Sequence, residues 1–441
     1  MIVVGAGLAG LAAANDLRDL DLLVLEGEDR VGGRLRSEPR GDVWLNLGAH
    51  VFAGADSATG ALIDRAGVEA VPVPGRLAAV ALREVVLASG RVETFPLRLP
   101  LRLRDRLALA RAGLRLRLAV RRYAAVARPR PGEPAGVRQG RVLEFMDSSS
   151  FSDFIGPLPP DVAALLRATL TRSSGEPGEL AAGYGIGYFH LVWSRGEGLS
   201  RTILGGPSRL TDALAAPLEG RLMRDARVTS VEREPGRVIV RYEHGGVQHT
   251  AVGRAAVVAT PAHVTVQILS GVPAGLTEVL GGIPYGPYVV VAFLVDRAAR
   301  LPWDAIYALA TPGRSFSMLF NVTSAIGATA RSGSLMAYAA ADHGRAALAL
   351  DDDEVRRRFL ADLEALFPGS RSLVREMVVQ RWPLGLPYPR VGRGRLQPAL
   401  TQDVAPVFLA GDYLGTWYTE TAAQTGADAA ASVRELLGRE R

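Results

Sequence analysis

Ile2-Val3-Val4-Gly5-Ala6-Gly7-Leu8-Ala9-Gly10, followed by Leu22-Leu23-Val24-Leu25-Glu26, is the stretch that decides the fold. Residues 2–4 read as a short buried strand. The three glycines then open an Ala/Leu-rich helix, and Glu26 ends the next apolar run. This is a βαβ unit suited to an adenine dinucleotide. Gly5 permits a tight turn, Gly7 lets the backbone approach a pyrophosphate, and Gly10 lets helix and strand pack closely. The helix N-terminus offers N–H groups and a positive dipole end to phosphates. Glu26 can accept hydrogen bonds from ribose hydroxyls.

Val31-Gly32-Gly33-Arg34 follows at once. A nicotinamide dinucleotide has no use for a second glycine turn there. In flavoproteins such a turn reaches back to the pyrophosphate, where Arg34 supplies charge-assisted donors. FAD is therefore the expected cofactor.

Working outward, Asn46-Leu47-Gly48-Ala49-His50, Ala256-Val257-Val258-Ala259-Thr260-Pro261 and Leu409-Ala410-Gly411-Asp412 join these motifs. Together they resemble the flavin amine oxidase superfamily, which includes monoamine oxidases, protoporphyrinogen oxidases and carotenoid-type desaturases. The resemblance runs from residue 2 to about residue 433. It implies an α/β plus α+β architecture: a Rossmann-type FAD-binding domain with an inserted substrate domain of mixed sheet and helix. The FAD domain is expected over 1–75, 200–270 and 395–441, and the substrate domain over 76–199 and 271–394.

Other site residues follow from the resemblance. Gly48 and Ala49 belong to a segment that lines the flavin in the family, and Gly33 to the turn that reaches the pyrophosphate. Asp412, beside Gly411, binds ribitol or pyrophosphate hydroxyls. Val228 matches a position whose backbone contacts adenine. Trp417-Tyr418-Thr419-Glu420-Thr421-Ala422 resembles the segment in which an aromatic and an acid precede a helix aimed at the flavin. Thr421 and Ala422 match its N-terminal positions, although relatives usually carry Gly where this chain has Thr421. The dipole of that helix favours negative charge on the reduced ring.

Tyr418, with Trp417 before it, falls where amine oxidases place one wall of an aromatic cage that attracts an amine. Trp382 or Tyr388 would supply the other wall. The plainer reading makes these aromatics core residues. His50 sits in Gly48-Ala49-His50-Val51-Phe52-Ala53-Gly54, a stretch closer to desaturases, and is a candidate for flavin contact or proton transfer; it could equally be a packed histidine. Arg381-Trp382-Pro383 and Pro387-Tyr388-Pro389 resemble protoporphyrinogen oxidases.

Composition bounds the chemistry. The 441 residues, 48% hydrophobic, suffice for two domains. With no cysteine, disulfides, thiol catalysis and cysteine-linked flavin are excluded. FAD should be non-covalent unless a histidine tethers it. All 51 basic residues are arginine against 45 acids, a net charge of +6 that suggests GC-rich bacterial coding. Many amine oxidases of that superfamily hold a water near the flavin with a lysine; this chain has none, so either another group takes that role or the chemistry differs. The histidines show no metal-ligand spacing, so no metal site is expected. No signal peptide is read, and a cytoplasmic protein is the default.

Residues 98–130 hold eleven arginines with helical periodicity. They suit an anionic membrane surface, an acidic substrate, or a merely solvated face; nucleic-acid binding lacks an aromatic module. Asp351-Asp352-Asp353 should cap a helix burying Val355, Phe359, Leu363 and Leu366. Residues 226–232 and 237–243 are expected to form a hairpin, 255–259, 378–382 and 407–410 strands, 383–398 a Pro-rich loop, and 421–437 the last helix.

The leading expectation is an oxidase that moves a hydride from a C–H beside nitrogen to FAD, with O2 as acceptor and H2O2 as product. The rivals are a C–C dehydrogenase of the desaturase or porphyrinogen type and a redox-neutral isomerase. Substrate and oligomeric state are not legible.

Overall fold

The computed structural model describes residues 1–74, 79–88, 94–193, 199–297, 300–325, 331–416 and 418–439. Five parallel strands make the first sheet, in the order Val407–Leu409, Ala256–Val258, Ile2–Val4, Leu23–Leu25 and Leu222–Met223. The inner strands are apolar on both faces because helices cover both. On one side the alanine-rich helix Leu8–Asp16 lies against the last helix, Tyr418–Arg439. They approach so closely that a Cβ on Gly426 would stand 2.3 Å from the Ala9 carbonyl oxygen. That last helix starts three residues before the expected position 421.

Ala226–Glu234 and Arg237–His244 pair as the expected antiparallel hairpin. A third strand, Val247–Gly253, extends it. Its side chains are mostly exposed, so it carries no alternation of apolar and polar residues to betray it.

The second large sheet has seven strands. Val374–Pro387 forms one edge, followed by Tyr285–Asp296, Ser332–Ala340, Met318–Asn321, Ala308–Ala310, Ala79–Leu82 and Val85–Leu87. Side chains alternate between its faces. Val289, Val291, Phe293 and Val295 turn to the helix Asp352–Leu366, which buries Val355, Phe359, Leu363 and Leu366 as expected. Asp351 caps that helix by accepting from the Glu354 N–H at 2.7 Å. Each fully buried aliphatic or aromatic side chain here contributes about 1.5–3 kcal/mol. Tyr288, Val290, Phe320, Met336 and Tyr338 occupy the opposite face.

The edge strand corrects the expected loop at 383–398. It continues through Pro383 to Pro387. The register slips between the Tyr288–Trp382 and Gly286–Leu386 pairs, so Pro383 sits in an irregularity on an edge, where its missing N–H breaks no ladder.

A helical layer lies beside this sheet. Leu103–Ala127 buries Ala112, Leu116, Ala119 and Tyr123. Ala182–Trp193 runs nearby and shares a core with it through Tyr184, Tyr188 and Phe189. No helix among the described residues is long and apolar enough to cross a membrane.

Candidate active site

A cavity of about 580 Å³ runs from the first glycine turn to the tyrosine face of the seven-stranded sheet. One end holds the glycine turn and Glu26 that the sequence analysis assigns to a dinucleotide. Gly5 has φ +95°, a conformation side chains resist. A Cβ on Gly10 would lie 1.8 Å from the Gly5 carbonyl oxygen, so only glycine lets the helix sit on its strand. Gly7 opens the helix with nothing within 4 Å of where a Cβ would be, and no side chain caps that end. Its first N–H groups therefore remain for a ligand.

Glu26 lines the cavity. Its Oε2 accepts from the Ala6 N–H at 2.6 Å and its Oε1 from the Glu28 N–H at 2.9 Å. Burial pushes its carboxyl above the ordinary range, against the pull of those donors. Val228 stands apart. It is half-buried in the hairpin opposite Tyr242 and is not among the lining residues, whereas Glu28 is.

Arg34 and Asp412 form a bidentate pair at 2.8 and 2.9 Å, joining the second glycine turn to the C-terminal segment. Arg34 also donates to the Gly385 carbonyl at 3.1 Å. Gly33, Gly48, Ala49 and Gly411 line the same wall. Gly48 is tightly held, since a Cβ would approach the Arg34 carbonyl oxygen to 2.1 Å. Ala49 donates its N–H to that oxygen at 3.0 Å.

The last helix presents Tyr418, Thr419 and Ala422 to the cavity. Thr421 is placed otherwise than expected: it is buried and lines a second cavity, of about 470 Å³, behind the helix. The helical period explains this, because positions 418, 419 and 422 share a face that 421 leaves. Glu420 accepts from the N–H groups of Ala58 and Thr59 at 2.8 and 3.0 Å, so its carboxylate caps the helix Ala58–Ala66.

Tyr418 has φ +45°, a strained value for a bulky residue. Its hydroxyl pairs with that of Tyr184 at 2.8 Å, and its ring meets Tyr188 edge-on at 6.4 Å. Burial holds all three phenols above their usual pKa, so they stay protonated. Trp382 lines the cavity and donates to the Leu47 carbonyl at 2.7 Å. Tyr388 does not line it: its peptide N–H bonds Pro284 O, and its ring packs with Leu180 beside Gly175 in the helical layer. Two residues along an edge strand beyond its slip are enough to re-aim a side chain. Trp417 lies outside the described residues.

His50 lines the cavity, 8% exposed, with its ring edge-on to Phe320 at 4.8 Å. Nδ1 is 3.3 Å from the Gly48 carbonyl oxygen, and Nε2 is buried without a partner among the described residues. Burial, reinforced by Arg172, pushes its pKa down to about 4. It is a neutral imidazole at neutral pH.

Several lining residues escaped the sequence reading. Tyr188 shares the i, i+4 spacing of Tyr184 on one helix face, and Tyr288 and Val290 share the period-two face of a strand. Those periodicities were available signals. Arg172, in the short turn Thr171–Ser173, had none.

The profile described as "Flavin containing amine oxidoreductase" matches residues 8–434. The chain belongs to that family. Within the flavin-containing amine oxidoreductases, a Mycobacterium tuberculosis protein bearing the name flavin-containing monoamine oxidase AofH is 28% identical over 287 residues, covering 60% of this chain and 57% of that protein. The chain thus matches a little over half the length of that relative. Protoporphyrinogen oxidase 2 of Arabidopsis thaliana is 43% identical over 68 residues, 15% of this chain and 13% of its own. Among solved structures, cyclohexylamine oxidase from Brevibacterium oxydans superposes with a TM-score of 0.78 at 19% identity, over 99% of both chains. Putrescine oxidase bound to putrescine gives 0.76 at 18% identity over 98% of both. At such identities these structures establish the fold, a parallel Rossmann-like sheet with a mixed substrate-domain sheet.

Proposed function

We propose that this flavoenzyme oxidises amines at a C–H beside nitrogen. The observation that carries the reading is Tyr418, held at the head of the last helix in the same cavity as the dinucleotide cradle. When bound, FAD supplies the redox chemistry, taking two electrons and hydrogen from the substrate and passing them to O2 as H2O2.

The chain's residues do the rest. Gly5 and Gly7 bring backbone to the pyrophosphate, and Glu26 offers fixed carboxylate oxygens to the ribose. Arg34 neutralises Asp412, so an acid can stand beside a dianionic pyrophosphate. Gly33, Gly48, Ala49 and Gly411 keep the wall thin enough for a flat ring, while Thr419 and Ala422 bring the helix dipole to it. Tyr418, Tyr188 and Trp382 exclude water and offer ring faces to an amine. His50 acts as a neutral imidazole. No cysteine is available to tether the cofactor, and with no histidine link FAD is held non-covalently.

The helix Leu103–Ala127 adds a partner to this reading: an anionic lipid surface. Leu103, Leu107, Leu114 and Leu118 point outward, 74, 52, 63 and 53% exposed. On a helical wheel they form one stripe opposite the buried residues, bordered by Arg104, Arg111, Arg115 and Arg122. The enzyme is then cytoplasmic and peripheral to the membrane.

The test is anaerobic mixing of the yellow protein with a panel of amines and amino acids while following the ~450 nm band of oxidised flavin. Bleaching by an amine class supports the reading. Bleaching only by polyene or porphyrinogen substrates replaces it with C–C dehydrogenation.

A further inference from the structure

Two arginines line the cavity among the described residues, and they differ in one respect. Arg34 is neutralised by Asp412. Arg172 makes no ion pair with any described Asp or Glu; its polar partners are the hydroxyls of Tyr338 and Tyr188, which burial keeps neutral. Its guanidinium carbon stands 5.6 Å from the centre of the Tyr188 ring and 5.8 Å from that of Phe320.

The backbone beneath it is fixed. Tyr288 donates its hydroxyl to the Arg172 carbonyl, Ser173 Oγ donates to Leu170 O at 2.6 Å, and Ser174 Oγ donates to Pro287 O at 3.0 Å. A half-buried cation at a cavity wall, left with ring faces and neutral phenols, is only partly compensated. A planar guanidinium is completed best by a carboxylate, which it grips with two parallel hydrogen bonds.

His50 supplies the second, independent observation. The Gly48 carbonyl can only accept, so Nδ1 carries the proton of the neutral ring and Nε2 is an acceptor. That acceptor is buried, without a partner among the described residues, on a residue that lines the cavity. Phe320 joins the two groups, with His50 at its edge 4.8 Å away and Arg172 over its ring. Tyr188 in turn lies between Arg172 and Tyr418. The cavity thus sets a carboxylate-seeking cation and an N–H-seeking nitrogen around one phenylalanine, beside the aromatic wall.

We propose that Arg172 and His50 form a recognition site for a substrate bearing both an amine and a nearby carboxylate, that is, an amino acid. Arg172 holds the carboxylate and His50 Nε2 accepts from the amine N–H. The aromatic wall sets the side-chain class. This deepens the amine-oxidising reading and rests on it, yet the anion site can be measured without turnover.

The experiment titrates the holoenzyme with benzoate, a non-oxidisable acid, and with benzamide, its neutral counterpart, following the flavin spectrum and binding heat. Benzoate is expected to bind and benzamide far more weakly. Arg172→Met should weaken benzoate at least about 30-fold, as losing one partner of a buried charge pair does. Arg172→Lys should restore part of it. Flavin content and circular dichroism report whether the variants fold. If Arg172→Met does not fold, the acid-against-amide ratio in the native enzyme and its reduction in Arg172→Lys decide the matter.

Benzoate and benzamide binding alike, or benzoate indifferent to Arg172, would overturn the proposal. Phenylalanine and phenethylamine then separate the two readings. Bleaching by phenethylamine, with a KM untouched by Arg172→Met, leaves an amine oxidase without an acid site and overturns the recognition proposal alone. Arg172-dependent benzoate binding, with no bleaching by any amino acid or amine, keeps the anion site and removes the amine chemistry.

Discussion

His50 shows how one residue's surroundings translate into a pH dependence. Its pKa is about 4 in the fold against 6.5 for a free imidazole, through burial first and Arg172 second. Between those values the unfolded chain binds a proton that the folded one refuses, so the contribution of His50 to stability is complete above pH 6.5 and is lost as pH falls toward 4. From neutral pH down to the acid end of that window the native enzyme should lose about 2–3 kcal/mol more than His50→Asn, which cannot titrate there. Urea unfolding at several pH values checks this, and parallel curves for the two proteins would refute it. The residue scale also marks where sequence reading stops. The glycine turn, Glu26, Arg34 and Asp412 were legible because backbone geometry and charge dictate those residue types. Tyr184, Tyr188 and Tyr288, which surround Tyr418, come from segments far from it in the chain, and Arg172 looked like any other arginine in a chain rich in them.

At the scale of elements, the helix Leu103–Ala127 presents leucines where a solvated helix would present polar groups. The lipid docking proposed for that stripe predicts co-sedimentation with phosphatidylserine-rich vesicles and little with phosphatidylcholine alone. Leu107→Glu, Leu114→Glu and Leu118→Glu together should weaken that binding at least about tenfold, without altering flavin content. Absence of vesicle binding would remove the lipid surface; a concentration-dependent dimer abolished by the same substitutions would replace it with a second copy of the chain. The helix itself was plain in the sequence from its periodicity. The strand Val374–Pro387 was only half visible, because two prolines and a glycine near its end read as a loop until the slip opposite Gly286 and Tyr288 accommodates them. Strand Val247–Gly253 was invisible for the opposite reason, having too little buried surface to leave a pattern.

The whole molecule is held around its cofactor by segments far apart in the chain. Five parallel strands come from residues 2–4, 23–25, 222–223, 256–258 and 407–409, and the sequence yielded four of them. The fifth, Leu222–Met223, is two residues long and half-buried, too short to carry any period. A cradle assembled this way should couple flavin binding to global stability. Denaturation should release all the flavin into the filtrate, and restoring FAD at a thousandfold excess over its dissociation constant should stabilise the apoprotein by about 4 kcal/mol, read as a rise in Tm. Flavin retained by the denatured chain would show a covalent link. The strand Val374–Pro387 has a last consequence, for how the enzyme can evolve. It places Trp382 in the cavity and, three residues later, hands the Gly385 carbonyl to Arg34, which is proposed to stand beside the flavin. Drift at 382–386 is therefore taxed by flavin loss, whereas Tyr188, Phe320 and Met336 line the cavity without touching that cradle. New substrate ranges in descendants of this chain should arise first at those three positions.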